Sequence, residues 1–424
     1  MKDQRCQKDS GSASRVASHM HGDNLDPSGT AMLGFGDQHR SAPRRVPPAL
    51  TMNQEPSTEA PMRAESLAFL RQLLDTPSPS GFEAAGQRIW SGYARALGAR
   101  CSCDAYGNHF AELLPMSGSA QRTVAVCGHA DEIGLMVNHI DAQGFIYCRS
   151  IGGIDPAAII GKRIQFHSSV AGVTNPVIGL VGATAIHLQD KDSTAKVRKL
   201  HELFIDIGAK DQASAAARLN IGDAGVFLDA SLMMSDEIIV ARALDNRIGT
   251  FVAAETLRLV AAQRARLRVR LVAVSTVQEE VGLHGASMIA ESVRPDIALV
   301  TDVGHATDSP GISHAQHGQF KLGAGPKLAV GGAMHPDVVA RLTASAAAQS
   351  IPLQRSATPG RSGTDTDAIF TRIGGIPSAL LSLPIRYMHT TVEMANLRDL
   401  RQISEVFAEM ILALAGDERF GAQP

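Results

Sequence analysis

From about Met62 onward the apolar positions of the chain follow two periods. Leu67, Phe69, Leu70, Leu73 and Leu74 recur at helical spacing, TPSPSG interrupts, and a second helix is predicted through Ile89, Trp90, Tyr93 and Leu97. HFAELL and TVAVCG then read as strands, the second so uniformly apolar that both its faces should be covered. After Gly152 the pattern becomes short alternating runs cut by Gly and Pro: GKRIQFHSS, NPVIGLVGATAIHL, LFIDIGAK and GDAGVFLD. A charged connection, QDKDSTAKVRK, and a short helix at QASAAARL lie among them. This texture predicts a small β-rich unit inserted over residues 155–236.

From Asp245 the alternation is on a larger scale. NRIGTFVAAETLRLVAAQR, GASMIAE and HPDVVARLTASAAAQS have helical periods, whereas RVRLVAVSTV, DIALVTDV and SALLSLP are apolar strands. A last helix runs through Leu397, Leu400, Ile403, Phe407, Met410, Ile411 and Leu414. Strands alternating with helices imply an α/β fold, a central mainly parallel sheet covered by helices, assembled from residues 62–154 and 237–424 around the insert. Residues 1–61 are Ser, Gly, Asp, Arg and Pro without apolar period, and are expected to be a disordered leader or extension.

Composition narrows the function classes. Forty Lys and Arg against 42 Asp and Glu leave a net charge of -2, which offers neither a basic groove for nucleic acid nor a patch for an anionic membrane. No apolar run approaches the ~20 residues of a membrane span. Five cysteines are too few and too scattered for a disulfide framework, so a reducing compartment, the cytosol, is expected. Cys101 and Cys103 form a C-x-C pair without a second pair nearby and are expected to be plain thiols.

Candidate chemistry sits at the ends of the apolar runs. His129 follows TVAVCG, Glu279 and Glu280 follow LVAVSTVQ, and Asp302 follows DIALVT. In open sheets ligands bind beyond the carboxyl ends of strands, so these positions should converge. Asp245 in ALDNR opens a helix, where an N-cap role competes with metal ligation, and His389 lies in RYMHTTVE. Two imidazoles and several carboxylates of mixed origin are what a water-activating metal pair requires, with Asp245 as a bridge. Asp131, two residues after His129, is placed to accept the second imidazole N–H and fix the tautomer. Adjacent Glu279 and Glu280 should repel unless cations separate their roles, one as ligand and one handling protons.

GHADEIG, ALDNR, QEEVG, a strand-end Asp before HATDSPG, SGTDTDA and PIRYMHTTVE stand in the order of motifs seen in the tetrahedral, glutamyl or deblocking aminopeptidases, and the chain resembles that family from about Leu67 to Leu414. The resemblance implies a zinc-exopeptidase-like fold whose insert is a dimerisation domain, with subunits that build a dodecamer. It implies two divalent ions, Zn2+ with Co2+ or Mn2+ as substitutes: His129 and Asp302 on one, Glu280 and His389 on the other, Asp245 bridging. Glu279 would be general base and acid for a metal-bridged hydroxide, Asp131 would orient His129, and Gly363, Thr364 and Asp365 would line the substrate pocket. Peptides would lose their N-terminal residues. The sequence departs from the family at His284, where Arg is usual, and at Gly304, where a hydroxyl residue is usual. Two alternatives use the same acids: a metal-dependent deacylase or dipeptidase, and an endoglucanase-like glycosidase, for which one Trp and four Tyr supply few sugar platforms.

Overall fold

The computed structural model describes residues 60–188 and 198–421. The expected leader, apart from Ala60 and Pro61, and most of the charged connection QDKDSTAKVRK lie outside the described residues. Two helices, Ala64–Asp75 and Ala84–Ala96, precede the strands; the first buries Phe69, Leu70, Leu73 and Leu74 as its period marks, whereas the second buries Trp90 beside Gly86, Gln87, Ser91 and Ala94 and leaves Ile89 and Tyr93 half-buried. The strands in chain order are β1 Arg100–Cys103, β2 His109–Leu113, β3 Thr123–His129, β4 Gly134–Ile140, β5 Ile146–Ile151, β6 Arg163–Phe166, β7 Val177–Gly182, β8 Phe204–Asp206 and β9 Ala224–Phe227. They continue as β10 Leu232–Met233, β11 Ile238–Ala241, β12 Arg270–Thr276, β13 Ile297–Val300, β14 Val303–His305, β15 Lys327–Val330, β16 Gln354–Ala357, β17 Ser378–Arg386 and β18 Glu393–Asn396.

The main sheet runs β1-β2-β12-β3-β13-β17-β18-β11-β10, with β14, β15 and β16 attached at β17. Its centre, β12-β3-β13-β17, is parallel. Its flanks, from β2 outward and from β17 through β18 to β10, pair antiparallel. Parallel pairing thus holds at the centre, where helices make the crossovers that parallel neighbours require, and again between β14 and β17 and between β15 and β16. β3 is buried from Val124 to His129, consistent with cover on both faces.

Helix Leu244–Ala262 packs between the sheet and the last helix, Leu397–Ala413, and is buried around most of its circumference. It comes unusually close to β3. A Cβ on Gly128 would stand 2.2 Å from the carbonyl carbon of Gly249, so only glycine permits this approach, which brings the start of the helix beside the end of the strand. Asn246 fastens the same corner: its Nδ2 donates to Thr301 O at 3.1 Å while its Oδ1 accepts from Gly249 N.

β4, β5, β8, β7, β6 and β9 close into a separate barrel around Leu135, Ile146, Ile164, Phe166 and Ile205. The barrel draws in Gly134–Ile140 and Ile146–Ile151, which the sequence pattern placed in the larger unit before residue 155. Those strands are joined by a tight turn at Gly144 and follow β3 after only Ala130, Asp131, Glu132 and Ile133, so no linker marks the boundary. Among the described residues no helix is long and apolar enough to cross a membrane.

Candidate functional site

The carboxyl ends of the central strands and two loops surround one cavity of about 470 Å³. His129 ends β3, Asp302 follows β13, and Glu279 and Glu280 lie in the turn after β12. Asp245 enters from the first turn of helix Leu244–Ala262 and His389 from the loop joining β17 to β18. All six side chains line the cavity.

Asp245 stands between the two imidazoles. Its Oδ1 lies 3.3 Å from His129 Nε2 and its Oδ2 lies 3.2 Å from His389 Nε2. His129 Nε2 is also 3.7 Å from Glu279 Oε2 and 3.9 Å from Asp302 Oδ1, while His389 Nε2 is 3.7 Å from Glu280 Oε2. Donor atoms of His129, Glu279 and Asp302, and separately those of His129, Asp245 and Glu280, all lie within 4.8 Å of one another. Distance alone thus admits Glu279 to the ligand set.

The rear of His129 is fixed by Asp131, whose Oδ1 is 3.3 Å from Nδ1. Asp131 in turn accepts from Ser80 Oγ at 2.6 Å and from the backbone N–H groups of Glu279 and Glu280. One buried carboxylate therefore aligns an imidazole and both glutamates. Further back, Glu132 accepts from Ser78 N and from the buried Arg247 and Arg242, tying the turn after β3 to the helix and to the loop that precedes it.

Electrostatics favour a cation at the centre. Burial pushes Glu279 up to about 8, with Asp365, Asp245 and Asp131 adding to the rise against His129. Burial and Asp245 hold Glu280 well above the carboxylate range, and burial with Asp245 and Glu279 does the same for Asp302. Burial alone would lower His129, but Glu279, Asp131 and Asp245 outweigh it and hold the imidazole well above its ordinary value. Four acids crowd two imidazoles here, and Glu280 Oε1 is buried with no hydrogen-bond partner. A carboxylate oxygen so placed, among mixed N and O donors, fits divalent ions.

The backbone around the ligands is strained. Ala243, Gln278, Leu283, Tyr387 and His389 all adopt positive φ near +60°, a conformation that costs a non-glycine residue roughly 1–3 kcal/mol and concentrates at functional sites. Gly152 and Gly153, just past β5, make room on the open side: a Cβ would lie 3.0 Å from Glu280 Oε2 at the first and 3.1 Å from His389 Nδ1 at the second.

Gly363 and Thr364 also line the cavity. Asp365 does not: it is buried behind the wall, where its Oδ2 accepts from Thr276 Oγ1 at 2.6 Å, because its side chain turns inward at the start of helix Asp365–Ile369. Sequence reasoning passed over Ser80, Asn246, Lys327 and Glu393. Asn246 and Glu393 lie inside the motifs ALDNR and RYMHTTVE, which mark the neighbourhood of a ligand but not the contacts these two residues make. Ser80 and Lys327 carried none.

The chain is similar to known proteins. Residues 107–406, more than half of the chain, match the family model of the M42 glutamyl aminopeptidases. The lysyl aminopeptidase of Pyrococcus furiosus is 31% identical over 337 residues, 78% of this chain and 92% of that one. The crystal structure of a TET aminopeptidase from a marine-sediment Thaumarchaeota archaeon superposes with a TM-score of 0.77 at 28% identity, covering 83% of this chain and 98% of that one. The TET1 peptidase of Pyrococcus horikoshii, described as assembling into a tetrahedron or a large octahedral shell, gives 0.71 at 28% identity, covering 82% and 100%.

Proposed function

The chain belongs to the M42 glutamyl aminopeptidase family, and on that premise we propose that His129 and Asp302 would hold one divalent ion and Glu280 and His389 a second, with Asp245 as the ligand they share. The protein is a metal-dependent aminopeptidase, which sets aside the glycosidase and deacylase alternatives. The observation that carries the two-ion reading is Asp245, with one oxygen toward each imidazole. Zn2+ is the expected ion, and Co2+ or Mn2+ suits the same donors. Bound there, such ions acidify water and polarise the scissile carbonyl.

The protein's own groups carry the rest. Glu279 faces the cavity and takes the proton of the attacking water as its oxygen bonds to the carbonyl carbon. When the C–N bond breaks, Glu279 returns that proton to the leaving amine. Asp131 keeps the Nε2 lone pair of His129 directed at the centre by accepting from Nδ1. The test is a panel of aminoacyl anilides against N-acylated amino acids, and turnover of blocked compounds alone would reject this reading.

The cavity also selects the first residue. Lys327 lines it with its ammonium 4.3 Å above the Phe320 ring centroid, and burial lowers its pKa. Among the described residues Lys327 has no ion-pair partner. A Cβ on Gly304 would stand 3.2 Å from Lys327 Cδ and 3.4 Å from Nζ, so the missing hydroxyl side chain leaves the ammonium reachable. Family names differ on this point, glutamyl for the family and lysyl for one relative, and an uncompensated cation favours an acidic first residue. Lys327→Met should lower kcat/KM for an α-glutamyl anilide roughly 10–100-fold with little change for a leucyl one. A wild-type preference for lysyl substrates would refute it.

The barrel exposes Ile178 and Leu180 on the outer face of β7, together with Leu228 beyond β9. Given the shells described for the TET1 relative, we assign this face to dimerisation within a homo-oligomer, with a dodecamer as the expected product. Ile178→Glu with Leu180→Glu should yield smaller species by light scattering. The described cysteines are unpaired thiols, which supports a reducing compartment, the cytosol.

A further inference from the structure

We infer that Glu393 is a positioning residue that sets the His389 half of the centre, an inference that rests on the two-ion reading above. Glu393 opens β18 and is 2% exposed. Its Oε2 accepts from Asp245 N at 3.0 Å and its Oε1 accepts from His389 N at 2.8 Å. Two ligands 144 residues apart in sequence are thereby fastened to the two oxygens of one carboxylate.

Each of those ligands needs such a fastening. Asp245 follows Ala243, which is at φ +58°, and has non-helical backbone angles itself although it lies in the first turn of its helix. His389 is at φ +60° in a loop whose neighbours Tyr387 and Val392 are exposed. The loop's other hydrogen bonds among the described residues are internal, from Thr390 N and Oγ1 to Tyr387 O and from Val392 N to Thr390 Oγ1, and do not reach the ligand cluster. β18 itself is anchored on both sides, to β17 and to β11, where Glu393 pairs with Ala241. Glu393 thus transmits the position of a sheet strand to a half-exposed loop imidazole and to the bridging acid at once, and sets the distance between their backbones.

The His129 half depends on it only through the shared Asp245. His129 is held by β3, Asp131 and Ser80. Replacing Glu393 should therefore act asymmetrically on the two ions. A glutamine has one acceptor oxygen, so its amide N–H2 must face one of the two backbone N–H groups and that bond is lost. Aspartate keeps charge and both acceptors but is one carbon shorter, so it cannot span both.

The experiment is Zn2+ binding by equilibrium dialysis of the full chain, wild type, Glu393→Gln and Glu393→Asp, with ions counted by mass spectrometry and the fold of the metal-free proteins followed by circular dichroism. The expected result is two ions in wild type, one weakened at most about a few-fold in both variants, and the other weakened roughly tenfold or more. The lost kcat should return as free Zn2+ is raised, a rescue that a general folding defect would not show. Two ions held with wild-type affinity in the variants, or both weakened equally, overturns the inference. If Glu393→Gln does not fold, Glu393→Asp must show the asymmetric loss or the inference falls. A wild-type chain that binds fewer than two ions removes the two-ion reading and this inference with it, an outcome distinct from the others.

Discussion

His129 and His389 approach the same carboxylate from opposite surroundings. His129 ends a strand flanked by two parallel neighbours, is 1% exposed, and is backed by Asp131 and Ser80. His389 stands in a loop between antiparallel strands, with its side chain 41% exposed and Gly153 close beside the ring. The first half of the centre is shaped by the protein core before any ligand arrives. The second is shaped by a strained loop and by hydrogen bonds to its backbone. Buried acids around a buried imidazole are costly unless cations compensate them, so the core half is preorganised to demand an ion, whereas the loop half faces the cavity where substrate enters.

Substitutions can break this contrast in graded steps. Asp245→Ala removes the group both halves share and should lower kcat/KM on the order of 10⁴-fold, about 5.5 kcal/mol of transition-state stabilisation, in steady-state assays. Glu279→Gln should lower kcat roughly 10²–10⁴-fold while metal content stays at the wild-type level, which separates a proton carrier from a ligand. Ser80→Ala removes one of the two donors to Asp131 Oδ2 and should weaken ion binding at the His129 half about tenfold, with a smaller effect on the His389 half through Glu280 N. Equal weakening of both ions by Ser80→Ala would erase the distinction between the halves.

A buried acid belonging to neither half supplies the control. Burial raises Asp399 to about 6 although it accepts from Gly323 N and Gly325 N, and its ordinary value is 3.8. The unfolded chain then releases this proton first, so its contribution to stability is full below about pH 4 and is lost as pH rises through about 6. Asp399→Asn should remove a loss of about 1–2 kcal/mol across that window, read by urea denaturation at several pH values, with no change in ion binding.

What the sequence disclosed divides along the same line. The strand-end ligands His129, Glu280 and Asp302 were legible because an apolar run ending in a polar residue marks both the strand and its exit. Asp245 and His389 had no such frame, since a helix N-cap and a loop histidine are common on their own, and only their place in ordered motifs distinguished them. The barrel's first two strands were misassigned to the larger unit because they continue the chain from β3 without a linker. The antiparallel flanks were missed because strand period carries no direction. Glu393 and Lys327 depend on contacts across the sheet, between β18 and the start of a distant helix in one case and between β14 and β15 in the other, and no local pattern encodes those.

Metal content of the purified, Zn2+-equilibrated chain, measured by mass spectrometry beside Asp245→Ala, tests the shared bridge most directly. Two ions per chain are expected in wild type and fewer than one in the variant; a wild-type chain that binds none, or a variant that still binds two, would contradict a centre built on Asp245.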